Sequence, residues 1–265
     1  MQNEEKIALL ISSCDSFSDL WEEHIRLLKA NWVGERFKTY LVTDKPTDRI
    51  LDGVEIIVAD PGLDFPMRIK WAAGYIGCQY VLLTLDDYFL IGNTKTEDLT
   101  YLIERMELEK IDYLSLYDRR QTNPKKYTTL EKIQAIDLNQ KYAVTLYPAI
   151  WSAEFLKKTV LSDMNTWQYE PTLTATALRE NANCKFSGAG TFVILDVIRK
   201  GRVLRKANKY FKKHGISIGD RPLTSRGMEM KLALMDFINW YTPRWFFKML
   251  KKIAKKLGMK FYSED

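Results

Sequence analysis

The chain has 265 residues, a length that fits one large domain or one domain with a short appendage. With 46% hydrophobic and 28% charged residues it can bury a sizeable core, which excludes a disordered, collagen-like or low-complexity chain. The net charge of +6 comes from the last quarter, where residues 199–213 contain eight basic residues and residues 244–260 contain seven, with no acidic residue in either stretch. The rest of the chain is therefore net acidic, and the basic stretches are candidate contacts for an anionic partner.

The sequence also bears on the compartment. No apolar run approaches the roughly 20 residues of a membrane-spanning helix, and the N-terminus is acidic where a signal peptide is basic. We therefore expect a cytosolic protein that is neither transmembrane nor secreted. Cys14, Cys78 and Cys184 are widely spaced, without a CxxC motif or a nearby histidine, which argues against a disulfide framework and a zinc site.

The first half of the chain alternates short β-rich runs with helical ones. The pattern predicts strands over residues 6–12, 37–42, 54–58 and 80–85, and helices over residues 19–30 and 66–77, the second with Pro in its first turn. Strands separated by helices of this length predict a mostly parallel sheet that is covered on both faces.

The second half is less regular. It predicts a helix over 97–108, a strand over 113–116, a polar loop over 118–129, a strand over 143–151, helices over 154–160 and 172–181, and a Gly-rich turn over 187–190. The composition shifts near residue 241. We therefore predict one domain over residues 1–240, divided into halves over about 1–110 and about 111–240, followed by a basic tail over 241–265.

Two adjacent carboxylates directly follow an apolar strand in the segment YVLLTLDDYFL, residues 80–90. Ligands bind at the carboxyl ends of the strands in open parallel sheets, and two carboxylates there repel one another unless a positive charge lies beside them. A hard divalent cation would supply that charge to Asp86 and Asp87. The alternative is that the two aspartates only cap a turn.

The segment MRIKWAAGYIGCQYVLLTLDDYFL, residues 67–90, resembles the GT-A class of nucleotide-sugar glycosyltransferases, in particular small bacterial enzymes of surface-polysaccharide assembly. The shared pattern is an Arg-bearing helix, an apolar strand and an xDD form of the DxD motif. The resemblance implies that Asp87 binds Mn²⁺ or Mg²⁺ at the donor diphosphate. It also implies that Asp86 contacts the donor ribose or the metal shell, and that Arg68 faces the diphosphate or ribose. An uncharged residue replaces the first acid of a strict DxD, which leaves one firm metal ligand.

Two upstream turns fit the same resemblance. The first strand is followed by SSCDS, residues 12–16, a small polar turn whose backbone can approach a nucleotide base, so Ser12 and Asp15 are predicted donor-binding residues. Asp44 follows the second strand, and in the resembling class an acid at this position binds the imino group of uracil. The resemblance thus implies that Asp44, with Asp15, reads the base. For each of these residues the alternative is an ordinary polar turn.

Two downstream segments, YPAIWSAEFL (residues 147–156) and NTWQYEP (residues 165–171), resemble the acceptor half of the same enzymes. There a W-x-[YF]-E element brings an acid to the sugar acceptor, which implies that Glu170 is the general base. An inverting transfer needs such a group, because the acceptor hydroxyl loses a proton as it attacks the anomeric carbon. Trp167 and Tyr169 form an apolar wall for a sugar ring or belong to the core. The alternative for Glu170 is a solvated acid before a proline-broken turn.

Other chemistries lack their sequence motifs. The chain has no GxxxxGK[ST] or GxGxxG, and neither His24 nor His214 has a Cys or His at metal-ligand spacing. We expect both to be ordinary surface or packing histidines. A nucleotidyltransferase is the alternative within the same broad class, but it would carry a Gly-rich loop with Arg or Lys after the first strand, which SSCDSFSD lacks. A non-enzymatic membrane or polyanion adaptor is the alternative from a different class.

The tail has an amphipathic pattern in RWFFKMLKKIAKKLGMKF, residues 244–261, with an apolar stripe on one helical face and lysines around the other. This arrangement is typical of a helix that lies in an anionic bilayer interface. The alternatives are a helix packed on the protein's own body or on a second subunit of a homo-oligomer. Nucleic acid is not an expected partner, because no recognised module is present. The predicted membrane contacts are Trp245, Phe246, Lys248, Leu250, Lys251 and Lys252.

The patterns predict an α/β fold with a mostly parallel, Rossmann-like sheet covered by helices on both faces, followed by a C-terminal amphipathic helix. The resemblance implies that this fold is GT-A-like, with a nucleotide-sugar-binding half over about 1–110 and an acceptor half over about 111–240. The expected activity is a metal-dependent, inverting transfer of a sugar from a nucleotide donor, UDP-linked, to a saccharide acceptor, lipid-linked. The expected location is cytoplasmic, peripheral on the inner face of the cell membrane. The sequence does not specify the sugar, the linkage or the acceptor.

Overall fold

The structure is a computed structural model that describes residues 6–117, 126–140, 142–160, 166–230 and 234, without the side chains of Thr166 and Trp167. The chain forms two compact units. The first contains residues up to Asp196 together with Ser217–Gly219, and the second contains Val197–Ile216 and the residues from Asp220 onwards. The predicted tail, residues 241–265, and its membrane contacts lie outside the described residues.

The strands of the described part are short, with the longest at the centre of the first unit. They are β1 (Ile7–Ser12), β2 (Trp32–Val33), β3 (Thr39–Thr43), β4 (Glu55–Val58), β5 (Tyr80–Leu85), β6 (Tyr88–Leu90), β7 (Thr94–Lys95), β8 (Tyr113–Ser115), β9 (Ile133–Ala135), β10 (Ala149–Ser152), β11 (Cys184–Ser187), β12 (Ile194–Asp196), β13 (Ile198–Arg199) and β14 (Arg202–Val203).

The helices alternate with these strands along the chain. They are α1 (Trp21–Ala30), α2 (Phe65–Ile76), α3 (Thr96–Glu109), α4 (Ala153–Thr159), α5 (Thr166–Arg179) and α6 (Arg205–His214), with a 3₁₀ turn over Asp15–Leu20 before α1. Local chemistry sets the ends of α2: the Asp64 side chain accepts the Met67 N–H at 3.1 Å at the start, and Gly77 adopts φ 71° at the end.

An eight-stranded sheet organises the first unit in the order β4-β3-β1-β5-β10-β8-β11-β9. Strands β4, β3, β1 and β5 are mutually parallel, and β10 is antiparallel to both β5 and β8. Strand β8 therefore runs in the direction of β5, as does β11, which pairs with β8 in parallel. The carboxyl ends of β1, β3, β4, β5, β8 and β11 all lie at one edge of the sheet.

Alternation along the buried strands divides the core between the two faces of the sheet. In β1, Ala8 and Leu10 pack with residues of α2, α4 and α5, whereas Leu9 and Ile11 pack with residues of α1 and α3. Both faces are apolar because helices cover both, as parallel sheets require. The predicted mostly parallel sheet with helices on both faces is therefore confirmed.

The second unit is small and basic in its described part. Strands β13 and β14 form an antiparallel pair, and α6 follows directly after them. Glu229 holds the start of α6, because its Oε1 accepts the Arg205 N–H at 2.7 Å and the Thr224 hydroxyl at 2.7 Å. The predicted single domain over residues 1–240 stays a prediction.

Two elements of the second half differ from the sequence prediction. The strand predicted over 143–151 was too long, because the preceding backbone donors bond to side chains. The Val144 N–H donates to the Thr174 hydroxyl at 3.1 Å and the Thr145 N–H to the Tyr113 hydroxyl at 3.4 Å, so pairing begins only at Ala149. These hydrogen bonds go to side chains about 30 residues away in the sequence, so a local sequence pattern does not reveal them.

The start of α5 was also predicted wrongly. The sequence predicted a helix from residue 172, after a proline-broken turn, but the helix begins at Thr166 and includes Pro171. Tyr169 anchors this first part, because its side chain is fully buried and its hydroxyl lies 2.6 Å from the Thr159 hydroxyl. Burial of one large aromatic side chain offsets the hydrogen bond that proline cannot donate.

Among the described residues, no helix combines the length and apolar character that crossing a lipid bilayer requires.

Candidate active site

The candidate site begins where three neighbouring parallel strands end. Ser12 is the last residue of β1, Asp44 follows β3, and Asp86 and Asp87 follow β5. Since β1 pairs with both β3 and β5, these four residues lie along one edge of the sheet. The sheet geometry thus brings together the residues that the sequence predicted on the donor side.

Asp86 is held in place by the turn that follows β1. It is only 8% exposed, its carboxylate Oδ2 accepts a short hydrogen bond from the Ser13 hydroxyl, and its N–H donates to the Ser12 carbonyl at 3.2 Å. Asp87 is half-buried beside it. The two carboxylates therefore have different surroundings, although they are adjacent in the sequence.

Asp44 and Asp15 meet through the backbone. The Asp15 N–H donates to Asp44 Oδ1 at 2.7 Å, and Lys45 Nζ lies 3.3 Å from Asp15 Oδ2. Burial raises the pKa of Asp44, but the hydrogen bonds from the Asp15 N–H and from its own N–H, with the charges of Arg68 and Lys45, bring it below its ordinary value. Asp44 is therefore ionised at neutral pH and close to Arg68.

Two buried polar atoms at this edge have no hydrogen-bond partner in the described part of the chain. They are Ser12 Oγ and Arg68 Nε, although the Arg68 guanidinium also donates from Nη1 to the Leu63 carbonyl at 3.2 Å. Buried donors and acceptors are normally satisfied, so such exceptions call for an explanation. A polar ligand bound at this edge would provide one.

The carboxylate pair fits a divalent metal only in one arrangement. Among the described residues, no three His, Cys, Asp or Glu side chains lie together so that they could hold an ion by themselves. Mg²⁺-type ions are commonly bound by one or two carboxylates together with substrate phosphates. The residues therefore fit an ion that Asp87 shares with a bound phosphate ligand, and they do not fit a resident metal centre.

Tyr88 connects this edge to the second half of the chain. Its ring stacks on Tyr147 with centroids 5.1 Å apart and an interplanar angle of 12°. Burial raises the pKa of the Tyr88 hydroxyl well above its ordinary value, and the nearby Tyr147, Asp87, Asp196 and Glu170 raise it further. The charges of three carboxylates that are far apart in the sequence therefore act on one tyrosine.

Glu170 lies near the beginning of α5 and is half-buried. Its Oε1 accepts the Leu146 N–H at 3.5 Å, next to the tyrosine that stacks on Tyr88. The side chain thus has a weak structural contact, and its charge raises the pKa of Tyr88. Its predicted role as the base stays a prediction.

The two aromatic residues predicted on the acceptor side differ in what the structure describes. Tyr169 belongs to the core, where its ring contacts Phe65 with centroids 6.4 Å apart. Of its two predicted roles, the core role is the one observed, and a fully buried ring offers no wall to a sugar. The Trp167 backbone lies in α5, and its side chain lies outside the described residues.

The sequence reasoning missed several residues of the site. Asp196 is 5% exposed at the end of β12, which pairs with β6 so that Asp196 lies opposite Tyr88. Tyr117 continues the aromatic stack, with its ring centroid 5.0 Å from that of Tyr147. A single acid inside the apolar run FVILDVI could have indicated Asp196, because an acidic residue is rarely buried without a functional or pairing reason.

No protein-family model and no curated protein matches the sequence. The structure is similar to a mannosyltransferase from Pyrobaculum calidifontis, solved with GDP-Man and Mn²⁺, with a TM-score of 0.50 and 10% identity, covering 74% of this chain and 58% of that one. It is also similar to TarS of S. aureus, with a TM-score of 0.49 and 14% identity, covering 71% of this chain and 36% of that one. A cytidylyltransferase from Leptospira borgpetersenii gives a TM-score of 0.41 and 11% identity, covering 83% of this chain and 99% of that one.

The similarity to the mannosyltransferase confirms the GT-A-like fold and, at the level of the fold, the resemblance inferred from the sequence. The chain spans little more than half of the mannosyltransferase and about a third of TarS.

Proposed function

We propose that the protein is a metal-dependent glycosyltransferase that moves a sugar from a nucleotide donor, a UDP-sugar, to a saccharide acceptor. The observation that carries the proposal is the row of acids Asp44, Asp86 and Asp87 at the carboxyl edge of the parallel sheet, beside the buried Ser12 Oγ and Arg68 Nε. Sugar transfer needs one group at the departing diphosphate and another at the attacking hydroxyl. Asp87 and Glu170 have the chemistry for these two roles, and the charge of each raises the pKa of Tyr88.

The donor-side roles follow from the carboxyl edge of the sheet. Asp44 would accept the imino N–H of uracil, Arg68 would neutralise the diphosphate or bind the ribose, and Asp86 would contact the ribose or the metal shell. The buried Ser12 Oγ and Arg68 Nε support a polar ligand here, since neither has a described partner. The mannosyltransferase with this fold was solved with a nucleotide sugar and Mn²⁺, which supports the same class of donor.

A metal at this site, Mn²⁺ or Mg²⁺, would be held by Asp87 with the donor phosphates. It would supply positive charge to the diphosphate as the bond to the sugar breaks. Asp87 would hold that ion at the diphosphate, and Arg68 would add a fixed positive charge of its own.

The acceptor-side role belongs to Glu170. As the acceptor oxygen forms its bond to the anomeric carbon, the bond to the diphosphate breaks, and the hydroxyl proton passes to the Glu170 carboxylate. Attack from the face opposite the leaving group inverts the anomeric configuration. The tyrosine stack of Tyr88, Tyr147 and Tyr117 is a candidate apolar surface for the acceptor sugar, because aromatic rings pack well against sugar rings.

The proposal is tested by measuring which bond the protein breaks. The wild-type protein is incubated with a panel of nucleotide sugars and saccharide acceptors, with and without Mn²⁺. The expected result is release of nucleoside diphosphate and an acceptor product of inverted configuration, both dependent on Mn²⁺. Release of pyrophosphate from a nucleoside triphosphate and a sugar phosphate would instead establish a nucleotidyltransferase. Nucleotide binding without any turnover would leave only the adaptor function.

We further propose that the protein acts on a lipid-linked acceptor at the cytoplasmic face of the membrane. The support is the charge pattern: residues 244–260 carry seven basic residues, no acid and an apolar stripe.

Removal of residues 244–265 should abolish binding to vesicles with anionic lipid and preserve transfer to a short soluble acceptor. The double change Phe246→Asp and Leu250→Asp should weaken vesicle binding as much. Unchanged vesicle binding in both variants, or dissociation of an oligomer on truncation, would refute the membrane role.

A further inference from the structure

Helix α1 contacts the Asp86 backbone directly and the Asp86 side chain through Ser13. Its residues Trp21 and His24 are one helical turn apart, so their side chains share a face of the helix. Both are buried, with exposures of 0% and 1%. Each side chain reaches a polar group in or beside Asp86, and the sequence analysis assigned neither of them a function.

Trp21 acts on the Asp86 side chain through Ser13. The indole Nε1–H donates to Ser13 Oγ at 2.6 Å, and Ser13 in turn donates its hydroxyl hydrogen to Asp86 Oδ2. An indole N–H can only donate, so it leaves the single hydroxyl hydrogen of Ser13 for the carboxylate. The chain Trp21–Ser13–Asp86 therefore has one consistent direction of donation and fixes the rotation of the serine hydroxyl.

His24 acts on the backbone of the same residue. Its Nδ1 lies 2.9 Å from the Asp86 carbonyl oxygen. A carbonyl only accepts, so Nδ1 carries the proton and donates. The imidazole ring packs edge-on against Phe89, with centroids 5.5 Å apart and an angle of 75°, which fixes its orientation.

The Asp86 carbonyl belongs to the peptide bond that joins Asp86 to Asp87. Because that peptide is planar, fixing its carbonyl also fixes the N–H and the direction in which the Asp87 backbone continues. The Asp86 N–H is fixed on the other side by the Ser12 carbonyl. One helix and one turn therefore set both the Asp86 carboxylate and the start of Asp87.

We propose that Trp21, Ser13 and His24 are positioning residues that hold the Asp86–Asp87 segment in its donor-binding geometry before the donor arrives. The inference rests on the proposed function, since it assigns these residues to the same site. Preorganisation of this kind improves affinity by removing the cost of ordering the site at the moment of binding. Substituting the outer-shell partners of metal ligands typically costs about 10- to 100-fold in metal affinity or activity.

The test uses Ser13→Ala and Trp21→Phe, which remove the two donated hydrogen bonds and keep most of the volume. Each should raise the donor KM and the Kd of UDP with Mn²⁺ by roughly tenfold, with kcat changed less. Trp32→Phe is the matched control, because the Trp32 indole is also buried and donates to the Thr96 hydroxyl at 2.8 Å, without a contact to Asp86. It should lower Tm with no change in KM.

His24 is tested by two substitutions that differ in one hydrogen bond. Asparagine can place its Nδ2 where the histidine has Nδ1, whereas leucine has a similar volume and no donor. His24→Leu should raise the donor KM as Ser13→Ala does, and His24→Asn should recover most of that loss. Equal KM values for the two variants would contradict a positioning role for His24.

A second measurement does not need the donor. Hydrogen exchange of the backbone amides of residues 86–90 should be faster in Ser13→Ala and Trp21→Phe than in Trp32→Phe. If all three exchange alike, the three residues only fill the core and the inference is wrong. If the wild-type protein binds no nucleotide but the exchange differs as expected, the proposed function fails while the positioning of Asp86–Asp87 stands.

Discussion

The proposed donor side and the proposed acceptor side of the site are built in different ways. On the donor side the acids follow the ends of parallel strands by one or two residues, so the sheet itself aligns them. On the acceptor side β8, β10 and β12 have three or four residues each, and backbone donors near Leu146 bond to side chains of α5 and β8. A regular sheet places its ligands by topology, whereas an irregular region places them by individual contacts.

The largest effect expected tests the donor side. Asp87→Ala should abolish metal-dependent turnover and the binding of UDP with Mn²⁺, because Asp87 is the proposed metal ligand. Calorimetric titration and diphosphate release measure the two losses. Asp60→Ala is the matched control, since Asp60 also follows a parallel strand, β4, and is exposed at the same edge. Tm should change little in either variant, and normal turnover of Asp87→Ala would refute the motif assignment.

The next effect tests the acceptor side. Glu170→Gln should lower kcat by roughly 10²- to 10⁴-fold with donor affinity nearly unchanged, because glutamine cannot accept the proton. Glutamine keeps an oxygen for the Leu146 N–H, which Glu170→Ala removes. A lower Tm in the alanine variant alone would separate the structural contact from catalysis. Weaker donor binding with full kcat in Glu170→Gln would move this residue to the donor side.

A smaller effect concerns recognition of the nucleotide base by Asp44. Asp44→Asn should weaken binding of UDP by roughly tenfold, because a hydrogen bond to a charged acceptor becomes a neutral one. Asp48→Asn, in the exposed loop nearby, is the control. The pKa of Asp44 lies below its ordinary 3.8, so its stabilising contribution is complete above about pH 4 and is lost only as the pH falls further. We therefore expect the affinity for the donor to be constant from pH 8 to pH 5. Equal losses of UDP binding in Asp44→Asn and Asp48→Asn would contradict the assignment of Asp44 to the nucleotide base.

The smallest effect concerns the free energy of unfolding, which His24 makes dependent on pH below neutrality. Burial lowers the pKa of His24 from 6.5 to about 4. Between pH 6.5 and about pH 4, His24 is therefore protonated in the unfolded chain and neutral in the folded protein. Wild-type stability should therefore fall as the pH drops from 6.5 to about 4, by up to about 3 kcal/mol from this group. Denaturant unfolding of wild type and His24→Asn at pH 7.5, 5.5 and 4.5 measures the difference. Identical pH profiles would mean that His24 is accessible to protons in the folded state.

The contrast between regular strand ends and individual distant contacts explains which elements and site residues could be predicted from the sequence. The run over residues 80–85 is fully apolar and matches β5, and the helix predicted over residues 97–108 matches α3 within one residue at each end. The acids after β1, β3 and β5 could be found because strand ends are visible in a local pattern. These features depend only on residues that are neighbours in the sequence.

The features that escaped prediction all depend on distant contacts. Pro171 lies inside α5 because the buried Tyr169 anchors the preceding turn, and Asp196 reaches the site only through the pairing of β12 with β6. The sequence pattern indicates only that Trp21 and His24 are ordinary core positions of an amphipathic helix. Their hydrogen bonds to Ser13 and Asp86 join residues 8 and 62 positions apart, which no local pattern records.

Strand β5 has a consequence for how the chain can be divided. It carries Asp86 and Asp87 at the middle of the sheet, with β1 on one side and β10 on the other. Since β10 is formed by Ala149–Ser152, a fragment that ends near residue 110 would leave Val81, Leu82 and Leu83 on an open edge. Unpaired apolar edges of this kind recruit other chains. During synthesis on the ribosome, the donor side therefore stays open to aggregation until residue 152 has emerged, and fragment complementation should succeed only with cuts after that point.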